Sequence, residues 1–270
     1  MLVDTHCHLN FENFQPDREE IMDRARQAGL SHLLNPGVDL KSSRSAIRLA
    51  ETFPEVYAAV GVHPNDSQSW EESTLGDLRD LSRQPKVVAI GEIGLDYFRD
   101  RAPRDVQRRV FREQLELAAE VHLPVILHLR NGNTQDRSAT LDLLGILVEW
   151  CSELIASQSD LAERPGVFHA YSGNLDEARP AMDLNFRIGV AGPVTFHKAE
   201  TLKEVVARLP IEGLLIETDA PFLTPHPHRN ERNEPSYISL VAQEIGRIRG
   251  LPFEEVAGST SSNAKHLFGW

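Results

Sequence analysis

Only two cysteines occur in the 270 residues, Cys7 and Cys151. They allow one bridge at most, so a disulfide framework is excluded and a reducing compartment fits. No apolar run approaches the roughly 18 residues that a membrane span requires. The opening Met1-Leu2-Val3-Asp4 lacks the basic and apolar regions of a secretory leader, so a cytoplasmic location is expected. Positive charge is scarce, with 28 Lys and Arg against 40 Asp and Glu and a net charge of −12. A chain so acidic does not hold nucleic acid or an anionic membrane over a broad surface, although a local basic or metal-lined cleft remains open to it. There is no Gly-rich phosphate fingerprint after the first apolar run, which disfavours a doubly wound nucleotide-binding sheet. Neither a linker nor a composition shift divides the chain, so residues 1–270 read as one domain.

What is present is alternation. Short, nearly continuous apolar runs lie at 2–4, 31–35, 56–62, 87–90, 124–127, 166–168, 186–190 and 214–216, as expected for parallel strands buried on both faces. Helical spacing is expected over 19–28, 42–53, 105–121, 139–155, 175–182, 199–209, 236–249 and 253–268. The polar stretches 131–137 and 224–235 read as loops. Strand ends near 8, 37, 63, 92, 128, 169, 190 and 219 give βα-unit spacing repeated eight times. The fold class is therefore α/β, a single-domain (β/α)8 TIM barrel.

Polar residues gather at those strand ends. His6 and His8 stand two apart on the first strand, so both can face the same side and clasp one cation. Cys7, between them, points the other way into the packed layer. His63, Glu92, His128, His169 and Asp219 end the third, fourth, fifth, sixth and eighth strands. In a barrel these ends meet at one face, where active sites are built. Imidazoles and carboxylates without thiolates suit Zn²⁺, Mn²⁺, Mg²⁺, Ni²⁺ or Fe²⁺. The candidate ligands outnumber those of one tetrahedral ion, so a two-ion site bridged by a carboxylate is the natural reading.

The segments DTHCHLNF (4–11), GVHP (61–64), GEIGLDY (91–97), LPVILHLR (123–130), FHAYSG (168–173), ETDAPFLTP (217–225) and RNEPSYI (232–238) run through the chain in order. With them the sequence resembles the TatD family of metal-dependent deoxyribonucleases, among the amidohydrolase-like barrels. The resemblance implies that His6, His8, Glu92, His128, His169 and Asp219 bind two divalent ions, with Glu92 bridging. It implies hydrolysis of DNA phosphodiester bonds by a two-metal-activated water, as 3′→5′ trimming of single-stranded ends. Some members of the family instead deacylate D-aminoacyl-tRNA. Asp219 and Glu92 become the catalytic residues, Asp219 as the base, with His63, Arg130 and Arg232 toward the substrate. Arg229 has the same opportunity as Arg232, and Asn233 and Glu234 are expected to hold the loop. Tyr97, Phe98, Tyr171 and Phe222 are candidates to stack a base, with packing the competing role. The run Leu129-Arg130-Asn131-Gly132-Asn133 departs from the family pattern, and the segment from His128 to His169 is longer than usual. A carbamylated lysine, which bridges metals in other amidohydrolases, has no candidate at the fourth strand end; the nearest, Lys86, precedes the strand. No exposed apolar stripe demands a protein partner, so a monomer is expected.

Overall fold

The computed structural model describes residues 1–133 and 136–270. Eight parallel strands follow one another in chain order: β1 (Leu2–Asp4), β2 (Leu30–Pro36), β3 (Val56–Val60), β4 (Val87–Asp96), β5 (Val125–Arg130), β6 (Gly166–Phe168), β7 (Arg187–Val190) and β8 (Leu214–Ile216). The last strand returns to the first. Thr5 N–H donates to Ile216 O at 3.1 Å, Asp219 N–H to His6 O at 2.8 Å, and His8 N–H to Ala220 O at 2.8 Å. The result is the expected TIM barrel.

The helices α1 (Arg18–Gln27), α2 (Leu40–Thr52), α3 (Glu72–Ser82), α4 (Arg104–Val121), α5 (Ser138–Ala156), α6 (Leu175–Asp183), α7 (Glu200–Arg208), α8 (Ile238–Arg249) and α9 (Phe253–Phe268) cover the sheet. Seven of the eight strands contribute to one apolar cluster that includes Val3, Leu34, Ala59, Ala89, Ile126, Val167 and Leu215. Residues from opposite strands meet only across the barrel axis, so this cluster is the barrel's interior filling. Leu267 and Phe268 join it from the last helix. The larger core lies between the strands and the helices, and Cys7 belongs to it, fully buried.

Three elements differ from the sequence expectation. The helix α3 has no counterpart there, because Leu75, Leu78 and Leu81 are its only large apolar residues and Thr74 and Ser82 take buried positions. The first strand stops at Asp4, so His6 and His8 follow it instead of lying within it, and only an isolated bridge at Cys7 continues the pairing. β4 runs to Asp96, six residues past the end of its apolar run, with a register irregularity between Ile90 and Ile93. Gly94 permits this extension: its φ is +139°, and a Cβ there would collide with His128 O.

Buried glutamines on α4 fix the strand ends. Gln114 accepts from Val62 N–H at 2.7 Å and donates to Val62 O at 3.0 Å, gripping the backbone beside His63. Gln107 accepts from Asp96 N–H at 2.9 Å and donates to Ala102 O at 2.9 Å. Each satisfies backbone groups that the ending strand leaves unpaired.

Candidate metal centre

The strand ends bring His6, His8, His63, Glu92, His128, His169 and Asp219 together in one cleft, except that His6 lies wholly beneath it. Asp4 sets the entry. Buried at the end of β1, it accepts from His6 N–H at 3.2 Å, Thr218 N–H at 2.9 Å and Thr218 Oγ1–H at 2.6 Å. That one carboxylate ties the backbone of His6 to the segment that carries Asp219.

Two clusters share Glu92. In the first, His6 Nε2 and His8 Nε2 face each other at 3.2 Å, and Glu92 Oε2 lies 3.4 and 3.5 Å from them. Asp219 Oδ1 is 3.7 Å from both nitrogens. Ligands about 2.0–2.1 Å from one tetrahedral ion stand about 3.3–3.4 Å apart, so these four atoms have the spacing of a coordination shell. In the second, Glu92 Oε1 is 2.8 Å from His128 Nδ1 and 2.8 Å from His169 Nε2, which lie 3.3 Å from each other. The first cluster fits a divalent cation in donor type and spacing; the second fits in donor type, and its two 2.8 Å contacts are hydrogen bonds that a bound ion would replace.

Burial drives the imidazoles of the first cluster neutral. His8 is pushed down to about 4 and His6 well below its ordinary value, which leaves their ring lone pairs unprotonated. The second cluster behaves oppositely. Burial opposes charge on His169, but Glu92, Glu217 and Asp219 outweigh it and lift the ring to about 9. His128 is also raised: burial opposes this, and hydrogen bonds to Asp96 and Glu92 prevail. Burial lifts Asp219 to about 7. Glu92 stays well below the usual carboxylate range despite its burial, because the surrounding histidines hold its charge.

His63 lies 3.5 Å from Glu92 Oε1 through Nε2, within the spacing of a ligand. Its other nitrogen, Nδ1, accepts from Asn65 N–H at 3.0 Å. Burial drives the ring down to about 3, so it is neutral and its single proton sits on Nε2. This tautomer makes Nε2 a hydrogen-bond donor into the cleft rather than a lone pair for a metal.

Behind the clusters stand two carboxylates to which the sequence alone assigns no role. Asp96 Oδ2 lies 3.3 Å from His128 Nε2, on the far side of the ring from Glu92. Its Oδ1 accepts from the N–H groups of Phe98 at 3.0 Å and Arg99 at 2.8 Å, shaping the turn after β4. Glu217 is fully buried, accepts from Ala170 N–H, and lies 3.8 Å from His169 Nδ1. Gly189 makes room for it, since a Cβ there would meet Glu217 Oε2 at 2.6 Å. Both carboxylates orient a histidine whose other nitrogen faces Glu92.

The cleft, about 480 Å³, is also lined by Arg99, Arg101 and Arg130. No carboxylate lies within ion-pair distance of any of the three among the described residues. Arg99 and Arg101 look like a solvated charge run in the sequence; only the position of that run on the turn after β4 reveals them. Arg232 is placed elsewhere. Its guanidinium holds Asp17 at 2.5 and 2.9 Å and Asn13 O at 2.5 Å, tying the loop after β8 to the start of α1. Arg229 stacks on Phe196 at 3.9 Å. Asn233 donates to Thr218 O at 2.8 Å and Glu234 pairs with Arg24 at 2.6 Å, so both hold the loop. Of the four aromatics, Tyr97 and Tyr171 are packed, with hydroxyls bonded to Asp142 at 2.7 Å and Asn174 O at 2.7 Å. Phe98 and Phe222 remain 55% and 52% exposed. Lys86 donates to main-chain carbonyls of Ala50, Phe53, Pro54 and Val56, remote from the clusters. Thr134 and Gln135, within the expected loop 131–137, lie outside the described residues.

A family profile described as TatD related DNase matches residues 3–269. The chain belongs to the TatD family of metal-dependent hydrolases. Its TatD relatives include a protein of Bacillus subtilis named "Uncharacterized metal-dependent hydrolase YabD", 43% identical over 268 residues, covering 99% of each chain. A protein of Escherichia fergusonii named "3'-5' ssDNA/RNA exonuclease TatD" is 36% identical over 275 residues, covering 99% of each. Among solved structures, that of YjjV, a TatD homologue from Escherichia coli K12, aligns with a TM-score of 0.89 and 33% identity over 100% of this chain and 98% of the other. No helix among the described residues is long and apolar enough to cross a membrane.

Proposed function

We propose that this TatD-family chain hydrolyses phosphodiester bonds at the ends of single-stranded nucleic acid, removing nucleotides in the 3′→5′ direction. The observation that carries the reading is that three arginines, Arg99, Arg101 and Arg130, open onto the same cleft as the Glu92-centred clusters, with Asp66 the carboxylate that acts on Arg101 at longer range. Guanidiniums free of close ion pairs beside a hydrolytic centre favour an anionic substrate, and their planar forks match phosphate oxygens. The name of the Escherichia fergusonii relative points the same way.

His6, His8, Glu92 and Asp219 would hold one divalent ion, and Glu92, His128 and His169 a second. When bound, the pair supplies Lewis acidity toward the phosphate and lowers the pKa of a nucleophilic water. The protein's own groups do the rest. Asp219 takes the proton from the attacking water, a role worth about 10²–10⁴-fold. His63 donates from Nε2 to a phosphate oxygen, a role its hydrogen bond from Asn65 prepares. Arg130 binds oxygens that gain charge as the water attacks. The net charge of −12 makes a long duplex a poor ligand, whereas a single-stranded end threaded into one pocket needs only a few contacts.

The test is incubation of 5′-labelled single-stranded DNA with metal-stripped protein given Mg²⁺ or Mn²⁺, beside an Asp219→Asn variant. Stepwise shortening from the 3′ end by the native chain alone is the expected result. No shortening by protein that holds metal would overturn the reading and turn attention to ester substrates such as D-aminoacyl-tRNA.

A further inference from the structure

A second cavity, of about 520 Å³, adjoins the metal cleft on the side of β5 and β6. Arg130 and His169 line both, so the two spaces meet at the metal centre. Leu129, Leu144 and Phe168 give the second cavity an apolar floor. Phe98 stands at its mouth, 55% exposed, with the Arg130 guanidinium over its ring at 4.0 Å. A single exposed phenylalanine needs no explanation. A phenylalanine stacked with an unpaired arginine, at the entrance of a ligand-sized cavity that touches the metal centre, does.

We propose that this cavity is a nucleoside subsite, taking the sugar and base of the nucleotide beside the scissile bond, with the base stacked at the Arg130–Phe98 pair. It rests on the phosphodiesterase reading for the placement of the phosphate in the neighbouring cleft. Aromatic rings and guanidinium planes are the platforms on which unpaired bases stack. The apolar floor suits a deoxyribose or the underside of a base.

The same walls predict little choice among bases. Asn131 donates to Thr140 Oγ1 at 2.8 Å and accepts from Thr140 N–H at 3.1 Å. Arg137 is held by Glu177 at 2.9 Å, and Asn174 accepts from Glu177 N–H at 3.1 Å. Asn131 and Arg137 are thus held by neighbours in the wall, and Asn174 accepts from Glu177, while Ser172 and Asp136 also line it. Stacking, which every base satisfies, is left as the main source of affinity.

The experiment compares binding of thymidine 5′-monophosphate and of inorganic phosphate to the Mg²⁺-loaded protein by titration calorimetry. The mononucleotide is expected to bind about tenfold or more tighter than phosphate, the scale of one base–aromatic stack. Phe98→Ala removes the platform, and Ser172→Trp fills the cavity from an exposed position on its wall. Each variant is expected to bring the ratio to about threefold or less, and the four deoxynucleoside monophosphates to bind the native protein within about threefold of one another. A mononucleotide that binds no tighter than phosphate, or an advantage that survives both variants, would overturn the subsite. Single-stranded DNA shortened by a protein without that advantage removes the subsite and keeps the nuclease. The advantage without DNA shortening keeps the subsite and removes the nuclease.

Discussion

Glu92 contacts His128 Nδ1 at 2.8 Å through Oε1, while its Oε2 faces His6 and His8. One side chain thus contacts histidines of both clusters through its two oxygens. Glu92→Gln keeps the size but halves the acceptor capacity. The expected outcome is a bound-metal content below that of the native chain, read by elemental analysis, and a kcat/KM lower by about 100-fold or more. Native metal content in an inactive variant would show that Glu92 acts in chemistry alone.

If Arg99 and Arg101 bind phosphate as proposed, the affinity for single strands should be salt-dependent. Each guanidinium removed should reduce the slope of log Kd against log salt by about 0.7. The Arg99→Ala/Arg101→Ala double variant is expected to lower that slope by about 1.4, measured by fluorescence anisotropy on a labelled oligonucleotide. Arg232, bound to Asp17 and Asn13, provides the contrast. Arg232→Ala should leave the slope in place and lower Tm by about 2 °C, as removal of a half-exposed ion pair does.

Metal binding should release protons near pH 7. In the metal-free centre carboxylates hold His169 at about 9 against the opposing effect of burial, so it is protonated at neutral pH, and a ligand must be neutral. The release is expected to fall as pH rises through 9, and calorimetry in buffers of differing ionisation enthalpy measures it. Stability follows with a definite sign. A histidine whose folded value lies above the ordinary 6.5 stabilises fully below 6.5 and loses that contribution as pH rises through about 9. The metal-free protein should therefore lose Tm over that interval more steeply than the metal-loaded protein.

The interior of the barrel supports this centre from below. Ile126 is fully buried among residues of the other strands, two positions before His128. Ile126→Ala is expected to cost about 2–5 kcal/mol, measured by denaturant unfolding, because neighbours fixed in opposite strands cannot collapse into the space.

The barrel is readable in the sequence because each strand is an apolar run and each linking helix but α3 carries a clear stripe. The helix α3 lacks one, since polar Thr74 and Ser82 fill its buried face. The metal-type residues are readable for a different reason: histidine and carboxylate recur at strand ends, and the fold gathers strand ends. Arg99 and Arg101 stay hidden because charge in a loop looks the same whether it faces solvent or a cleft. Glu217 and Asp96 stay hidden because their roles depend on which ring nitrogen each histidine turns toward the centre. Arg232 shows the reverse case. Beside a recognisable motif it invites a substrate role, and the folded chain gives it Asp17.

On the proposed reading, one Glu92-linked pair of clusters, once loaded with metal, performs the hydrolysis. The direct measurement titrates metal-stripped protein with Mn²⁺ and follows bound metal per chain together with the rate of single-stranded DNA shortening. No activity is expected without metal, and the rate should level off near about two ions per chain. Full activity in the stripped protein, or a rate that ignores the metal bound, would contradict it.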